Sequence, residues 1–432
     1  MSLQALTELA VARVAGQPLG ITSVCSAHPL VLRAALRAGA ETGAPVLIEA
    51  TCNQVNHQGG YTGMTPQDFA DLVFGLAAQE GCPKELIILG GDHLGPNPWR
   101  DRPAEDAMAE AEKMVAAYVA AGFRKIHLDC SMGAAGEPEA LDDETTARRA
   151  ARLAKLAEAA ATDAGGDMPV YVIGTEVPPP GGADHVLDTI TPTSPEAARR
   201  TIDIHRKVFA EAGLTDALSR VIALVVQPGV EFGNQNVIFY RPELARDLAA
   251  TLAGEPALIF EAHSTDYQGT GPLSDLVADG FAILKVGPEL TFVLREALYA
   301  LDLIASDLDP AYGDRPLMAA MEAEMQDHPA NWQRHYAGDP AKLRMLRHYS
   351  LSDRIRYYWP SERAEKAVKR LFDTLKGRTI PLPLLWQHLN GRTDLADGPL
   401  NPEEVVVAHV RRSLDTYHAA CRAGSAPDYS GA

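Results

Sequence analysis

The sequence predicts an α/β fold: a (β/α)8 barrel over residues 1–305, followed by a helical extension over 306–432 packed on it. Three observations predict it. Eight short apolar runs recur, each nearly continuous in hydrophobicity, as parallel strands covered on both faces are. Each run is followed by an amphipathic stretch at helical spacing, and eight such units in succession favour a barrel over an open sheet. The runs also end in acids, histidines and amides, and in a barrel all strand C-termini converge on one face.

In order, strand one (20–25) ends in Ser26-Ala27-His28 and leads to a helix over 29–42. Strand two (45–50) carries Glu49, ends in a polar loop with Asn53, Gln54 and Asn56, and leads to a helix over 65–79. Strand three (86–90) runs into Gly90-Gly91-Asp92-His93 before a helix over 104–121. Strand four (125–129) holds His127 and Asp129, and strand five (170–175) ends in Gly174-Thr175-Glu176, with helices expected over 143–164 and 195–211. Strand six (220–226) ends in Gln227 and Glu231, and strand seven (257–261) in Glu261-Ala262-His263-Ser264-Thr265-Asp266, with helices over 241–252 and 273–278. Strand eight (282–286) carries Lys285 before Gly287 and a helix over 289–304. The remainder shows helical patterns over 318–326, 340–351, 361–375 and 403–421, broken at prolines, and a frayed tail from Ala423.

Composition narrows the function. The chain has 432 residues, 46% hydrophobic and 22% charged, with a net charge of -18. That balance argues against nucleic acid as a partner, because phosphate neutralisation needs clustered cations. It leaves room for one sugar phosphate held by a helix N-terminus, Lys or Arg. Five cysteines without a C-x-x-C motif read as small buried hydrophobes in a reducing, cytoplasmic setting. No basic stretch followed by an apolar one opens the chain, and no apolar run approaches about 18 residues, so neither a secretory signal nor a membrane span is expected. The P-loop and G-x-S-x-G motifs are absent.

A single buried Asp or His at a strand end is commonly a core residue or a cap; the same chemistry at seven strand ends points to a shared active site. His93 and His263 would share the rim, with Glu176, Gln227 or Glu231 adding an oxygen, a donor set suited to zinc or another divalent first-row cation. Asp92 and His93 are adjacent, so both serve one site only if the strand has already ended, which Gly90-Gly91 predicts. Lys285 is of the type that forms a Schiff base in metal-free aldolases, although a structural or phosphate-facing lysine is the commoner outcome.

These motifs resemble the Z subunit family of tagatose-bisphosphate aldolase. The resemblance rests on Val24-Cys25-Ser26-Ala27-His28-Pro29, Gly59-Gly60-Tyr61-Thr62-Gly63-Met64, the segment at 90–97, Ile173-Gly174-Thr175-Glu176-Val177, Gln227-Pro228-Gly229-Val230-Glu231-Phe232, the segment at 261–268 and the extension's 349–360. It implies one of two functions. One is a tagatose 6-phosphate 4-epimerase of galactitol and tagatose catabolism, acting on a phosphorylated ketohexose. The other is a non-catalytic subunit supporting a catalytic aldolase subunit. An older naming as a kinase finds no nucleotide-binding motif here.

A more distant resemblance to zinc-dependent class II aldolases assigns Asp92 as acid/base and His93 as a metal ligand, with His263 as a second. The aldolases' zinc histidine on strand six has no counterpart; Gln227 stands there. On this resemblance the catalytic candidates are Asp92, Asp129, Glu176 and Asp266, and the metal ligands are His93, His263 and Gln227. Substrate would be held by Glu49, Asn53, Ser264, Lys285, Gly287 and Arg354, with the phosphate near strands seven and eight. Arg356 joins Arg354 if the extension folds over the mouth. A divalent metal, zinc first, and a homo-oligomer are implied.

Overall fold

The computed structural model describes residues 2–174, 190–390, 392–396 and 398–422. Eight parallel strands close into a barrel: β1 (Ile21–Val24), β2 (Val46–Thr51), β3 (Ile87–Leu94), β4 (Lys125–Leu128), β5 (Val170–Ile173), β6 (Val221–Val226), β7 (Ile259–Ala262) and β8 (Phe281–Val286). Each pairs with its sequence neighbours, and β1 with β8 through Ile21↔Ile283 to Val24↔Val286 closes the ring. All eight lie where apolar runs predict them. Helix starts follow local chemistry: Asp142 and Ser194 accept the N–H of Thr145 and Ala197, capping Asp143–Ala164 and Pro195–Glu211.

The period-two alternation of the strands builds the barrel interior in layers. Leu47, Ile88, Val170, Ile259 and Ile283 form a lower apolar layer. Two residues further along β2, β7 and β8 stand Glu49, Glu261 and Lys285, a charged layer that Lys125 of β4 joins; one step higher come Asp92 and His127. Helix Ser2–Val14, which no sequence expectation included, seals the lower end by packing Leu6 and Leu9 against the apolar layer.

Strand β3 does not stop at Gly90, contrary to expectation; it continues to Leu94. Gly90 and Gly91 serve clearance instead. A Cβ on Gly90 would lie 2.6 Å from Glu49 Cγ, and one on Gly91 2.6 Å from Leu94 Cδ1 and 2.9 Å from Tyr118 Cδ1. The strand slips register between Gly91 and Leu94, with His93 in the left-handed region at φ 49°. That bulge lets adjacent residues Asp92 and His93 serve one site.

The final helix, Pro402–Cys421, packs against Pro29–Thr42, Thr270–Ala278 and β1, so the extension's last element sits in the barrel's helical ring. Helix Pro288–Leu308, which follows β8, packs against it. Before it, the segment at 349–360 crosses the mouth. Leu351 donates its N–H to Asn234 O at 3.0 Å, and Tyr267 Oη donates to Leu351 O at 2.6 Å. All five cysteines are free thiols. No helix among the described residues is long and apolar enough to cross a membrane. The tail from Ala423 lies outside the described residues.

Candidate active site and metal centre

The strand C-termini open into a cavity of about 1550 Å³. Its floor is the charged layer. Lys125 Nζ lies 2.7 Å from Glu49 Oε1 and 2.6 Å from Glu261 Oε2, all three side chains 0% exposed. Lys285 Nζ reaches Glu49 Oε2 at 3.2 Å and Glu261 Oε1 at 3.5 Å, and pairs with Asp92 Oδ1. Burial disfavours the charges of Asp92, Glu261 and Lys285, and attraction between opposite charges outweighs it. Glu261 and Asp92 are held well below the usual carboxylate range, and Lys285 is pushed well above its ordinary value. A group of this kind survives burial only because each charge is paired.

Above the floor three imidazoles gather, with ring centroids 4.8 Å apart for His93–His127, 4.8 Å for His93–His263 and 5.3 Å for His127–His263. One ring nitrogen of each is committed to an acceptor. His127 Nε2 donates to Gly174 O at 2.9 Å, His93 Nδ1 lies 2.8 Å from Asp129 Oδ2, and His263 Nε2 lies 2.9 Å from Glu261 Oε1. A carbonyl cannot donate, so His127 keeps its proton on Nε2. Its Nδ1 lies 3.2 Å from the backbone nitrogen of His93 and 2.9 Å from Asp92 Oδ1. Burial, then the Lys285 charge, lowers His263 to about 3, so it is a neutral imidazole at ordinary pH. Carboxylate or carbonyl behind imidazole is the outer-shell pattern of metal-binding histidines.

One ligand atom from each of Asp92, His93, His127 and His263 lies within 4.8 Å of the others. Three imidazoles and a carboxylate, the rings fixed from behind, fit a divalent first-row cation.

The structure thus brings Asp92, His93, His263, Asp129, Lys285, Ser264, Asp266, Gly287, Gln227 and Asn53 to one cavity. Several take up other tasks there. Gln227 Oε1 accepts the N–H of Gly229 at 2.8 Å and Val230 at 2.9 Å, so its oxygen folds its own loop rather than joining the imidazoles. Asp266 Oδ1 accepts the N–H of Gly287 at 3.0 Å and Glu289 at 2.8 Å, capping the helix after β8. Burial and the Glu289 charge raise its carboxyl to about 7. Glu49 lies beneath the cavity, walled in by Lys125, Lys285 and Ser23. Arg354 turns outward to Asn331 O, and Arg356 lines the cavity in its place. Glu176 lies outside the described residues.

His127 and Lys125 carried no assigned role in the sequence reading. The signal was present: two polar residues at i and i+2 of an otherwise apolar strand both face inward.

Comparison with known proteins agrees with this architecture. The model of the D-tagatose-1,6-bisphosphate aldolase subunit GatZ/KbaZ-like family matches residues 6–422. A D-tagatose 6-phosphate 4-epimerase from Agrobacterium fabrum (strain C58) is 62% identical over 419 residues, 97% of this chain and 99% of that protein. The crystal structure of a probable tagatose 6 phosphate kinase from Sinorhizobium meliloti 1021 superposes with a TM-score of 0.85 at 53% identity, covering 93% of this chain and 100% of that one.

Proposed function

The chain belongs to the D-tagatose-1,6-bisphosphate aldolase subunit GatZ/KbaZ-like family, and from that premise we infer that it is an isomerase interconverting D-tagatose 6-phosphate and D-fructose 6-phosphate at C4. The 62% identity to an epimerase over nearly the whole chain supports the reaction. The observation that carries the chemistry is the convergence of His93, His127, His263 and Asp92 on one point above a charged floor.

C4 of a ketohexose carries no acidic C–H, so deprotonation there cannot invert it. Breaking the C3–C4 bond can. Asp92, held anionic by Lys285 and its neighbours, takes the C4 hydroxyl proton. The C3–C4 electron pair moves onto the dihydroxyacetone half as its enediolate, and C4 becomes the aldehyde carbon of glyceraldehyde 3-phosphate. The aldehyde turns, the enediolate adds to its other face, and Asp92 returns the proton to the new C4 oxygen. No atom is gained or lost.

His93, His127 and His263 would hold the metal, zinc by the nature of its donors, which supplies Lewis-acid stabilisation of the oxygen charge that develops. Asp129 keeps the His93 ring in place. Glu261 does the same for His263 and, with Glu49, anchors Lys285.

The family's description as an aldolase subunit carries a second reading, a non-catalytic partner of an aldolase. A supporting surface has no use for buried charges and imidazoles at its barrel mouth, which favours the enzyme. Incubating the purified chain alone with D-tagatose 6-phosphate and divalent metal decides between them. Fructose 6-phosphate is the expected product. Its appearance only when an aldolase subunit is added would favour the partner reading.

A further inference from the structure

We propose that Arg356, on the segment crossing the barrel mouth, binds the phosphate of the substrate. The proposal rests on the phosphohexulose reading above and adds to it the group that recognises the phosphorylated end.

Among the described residues four cationic side chains, Arg33, Lys285, Arg356 and Lys369, line the cavity. Three are already neutralised. Arg33 pairs with Glu80, Glu403 and Glu404, and Lys369 with Asp373. Lys285 stands among Glu49, Asp92 and Glu261. With Lys125 that floor holds three carboxylates against two ammonium groups, a field that repels a phosphate dianion. The helix N-terminus after β8 is no better placed, because the N–H groups of Gly287 and Glu289 are spent on the Asp266 carboxylate.

Arg356 differs. Its Nη1 donates to the carbonyls of Ser352 and Asp353, and its Nη2 donates to Tyr357 Oη at 3.0 Å. These acceptors are all neutral, and no carboxylate pairs with it among the described residues. The neighbouring Asp353 is paired with Arg295 Nε at 3.2 Å. The guanidinium is fixed 4.6 Å from the centre of the Tyr357 ring, which in turn packs edge-on against Tyr61 at 4.8 Å. A partly buried guanidinium on a cavity wall, oriented in advance and not in ion-pair contact with any described carboxylate, in a chain of 57 acidic and 39 basic residues, calls for an anionic ligand. Its planar fork matches a phosphate monoester.

Arg356→Gln keeps an amide donor for the Ser352 and Asp353 carbonyls and removes the charge. On D-tagatose 6-phosphate, kcat/KM should fall on the order of 10- to 100-fold, the range for losing hydrogen bonds to a charged group. Turnover of unphosphorylated D-tagatose should stay unchanged, and competitive inhibition by inorganic phosphate should disappear. Undiminished kcat/KM on the phosphorylated sugar, or an equal loss on both sugars, would overturn the proposal. If Arg356→Gln does not fold, Arg356→Lys carries the test, with a partial loss confined to the phosphorylated sugar expected. If the wild-type chain converts no sugar, the epimerase reading falls, and calorimetric titration with inorganic phosphate still decides this one: binding by wild type and not by the variant sustains it, and equal behaviour of the two overturns it.

Discussion

His127 Nδ1 stands 2.9 Å from Asp92 Oδ1 while the other nitrogen of the same ring donates to the Gly174 carbonyl. Two lone pairs at that separation attract only with a proton or a metal cation between them. The ring has the geometry of a ligand oriented from behind, and strand β4 carries it fully buried. His127→Ala should weaken zinc binding by at least about 10- to 100-fold, measured by competition with a chelator of known affinity. Unchanged affinity would remove His127 from the ligand set.

The buried floor predicts a stability effect. Lys125→Met leaves Glu49 and Glu261 facing each other with Lys285 as their only cation, and breaking a buried pair costs roughly 3–5 kcal/mol. Adding Glu49→Gln to that variant should restore part of the loss, because the orphaned carboxylate is gone. Urea unfolding of the two single variants and the double variant measures the coupling; strict additivity would show that the lysine and the glutamate do not act together.

Much of this site was legible in the sequence, and the exceptions have physical causes. Apolar runs located all eight strands because residues buried on both faces leave little freedom of composition. Asp92, His93 and His263 could be expected to meet because polar groups at strand ends converge in a barrel. Gly90-Gly91 read as a stop, whereas the pair makes room for Glu49 and Tyr118, a fact about neighbours that no local pattern carries. Gln227 looked like a ligand by position, but its amide oxygen turns onto Gly229 and Val230. Arg354 and Arg356 are two residues apart, and only the 3-10 turn Arg354–Tyr358 decides which of them faces the cavity.

Epimerisation by carbon–carbon cleavage leaves the C4–H bond intact. Product formed in D2O should therefore carry no deuterium at C4, read by proton NMR of fructose 6-phosphate. Stoichiometric deuterium at C4 would rule out the cleavage route.

Burial holds His28 on the cavity wall, and His348 and His418 away from it, at about 4. Folded, these rings stay neutral where the unfolded chain, titrating near 6.5, already binds protons. Their linkage leaves stability intact above about pH 6.5 and removes it as the pH falls from there toward 4, by up to roughly 2 kcal/mol per ring at pH 5. Urea midpoints at pH 7.5 and 5 should differ in that direction, and replacing His418 with Gln should shrink the difference. A midpoint that rises on acidification would contradict the assignment.

A metal-dependent epimerase complete in one chain can be tested by a single titration. The purified chain is stripped of metal, supplied with D-tagatose 6-phosphate, and the rate of fructose 6-phosphate formation is followed as zinc is added with no second protein present. No turnover is expected without metal, and with it a rate that climbs to a plateau at one equivalent per chain. Full turnover by the stripped chain, or none with any divalent metal, would contradict that expectation.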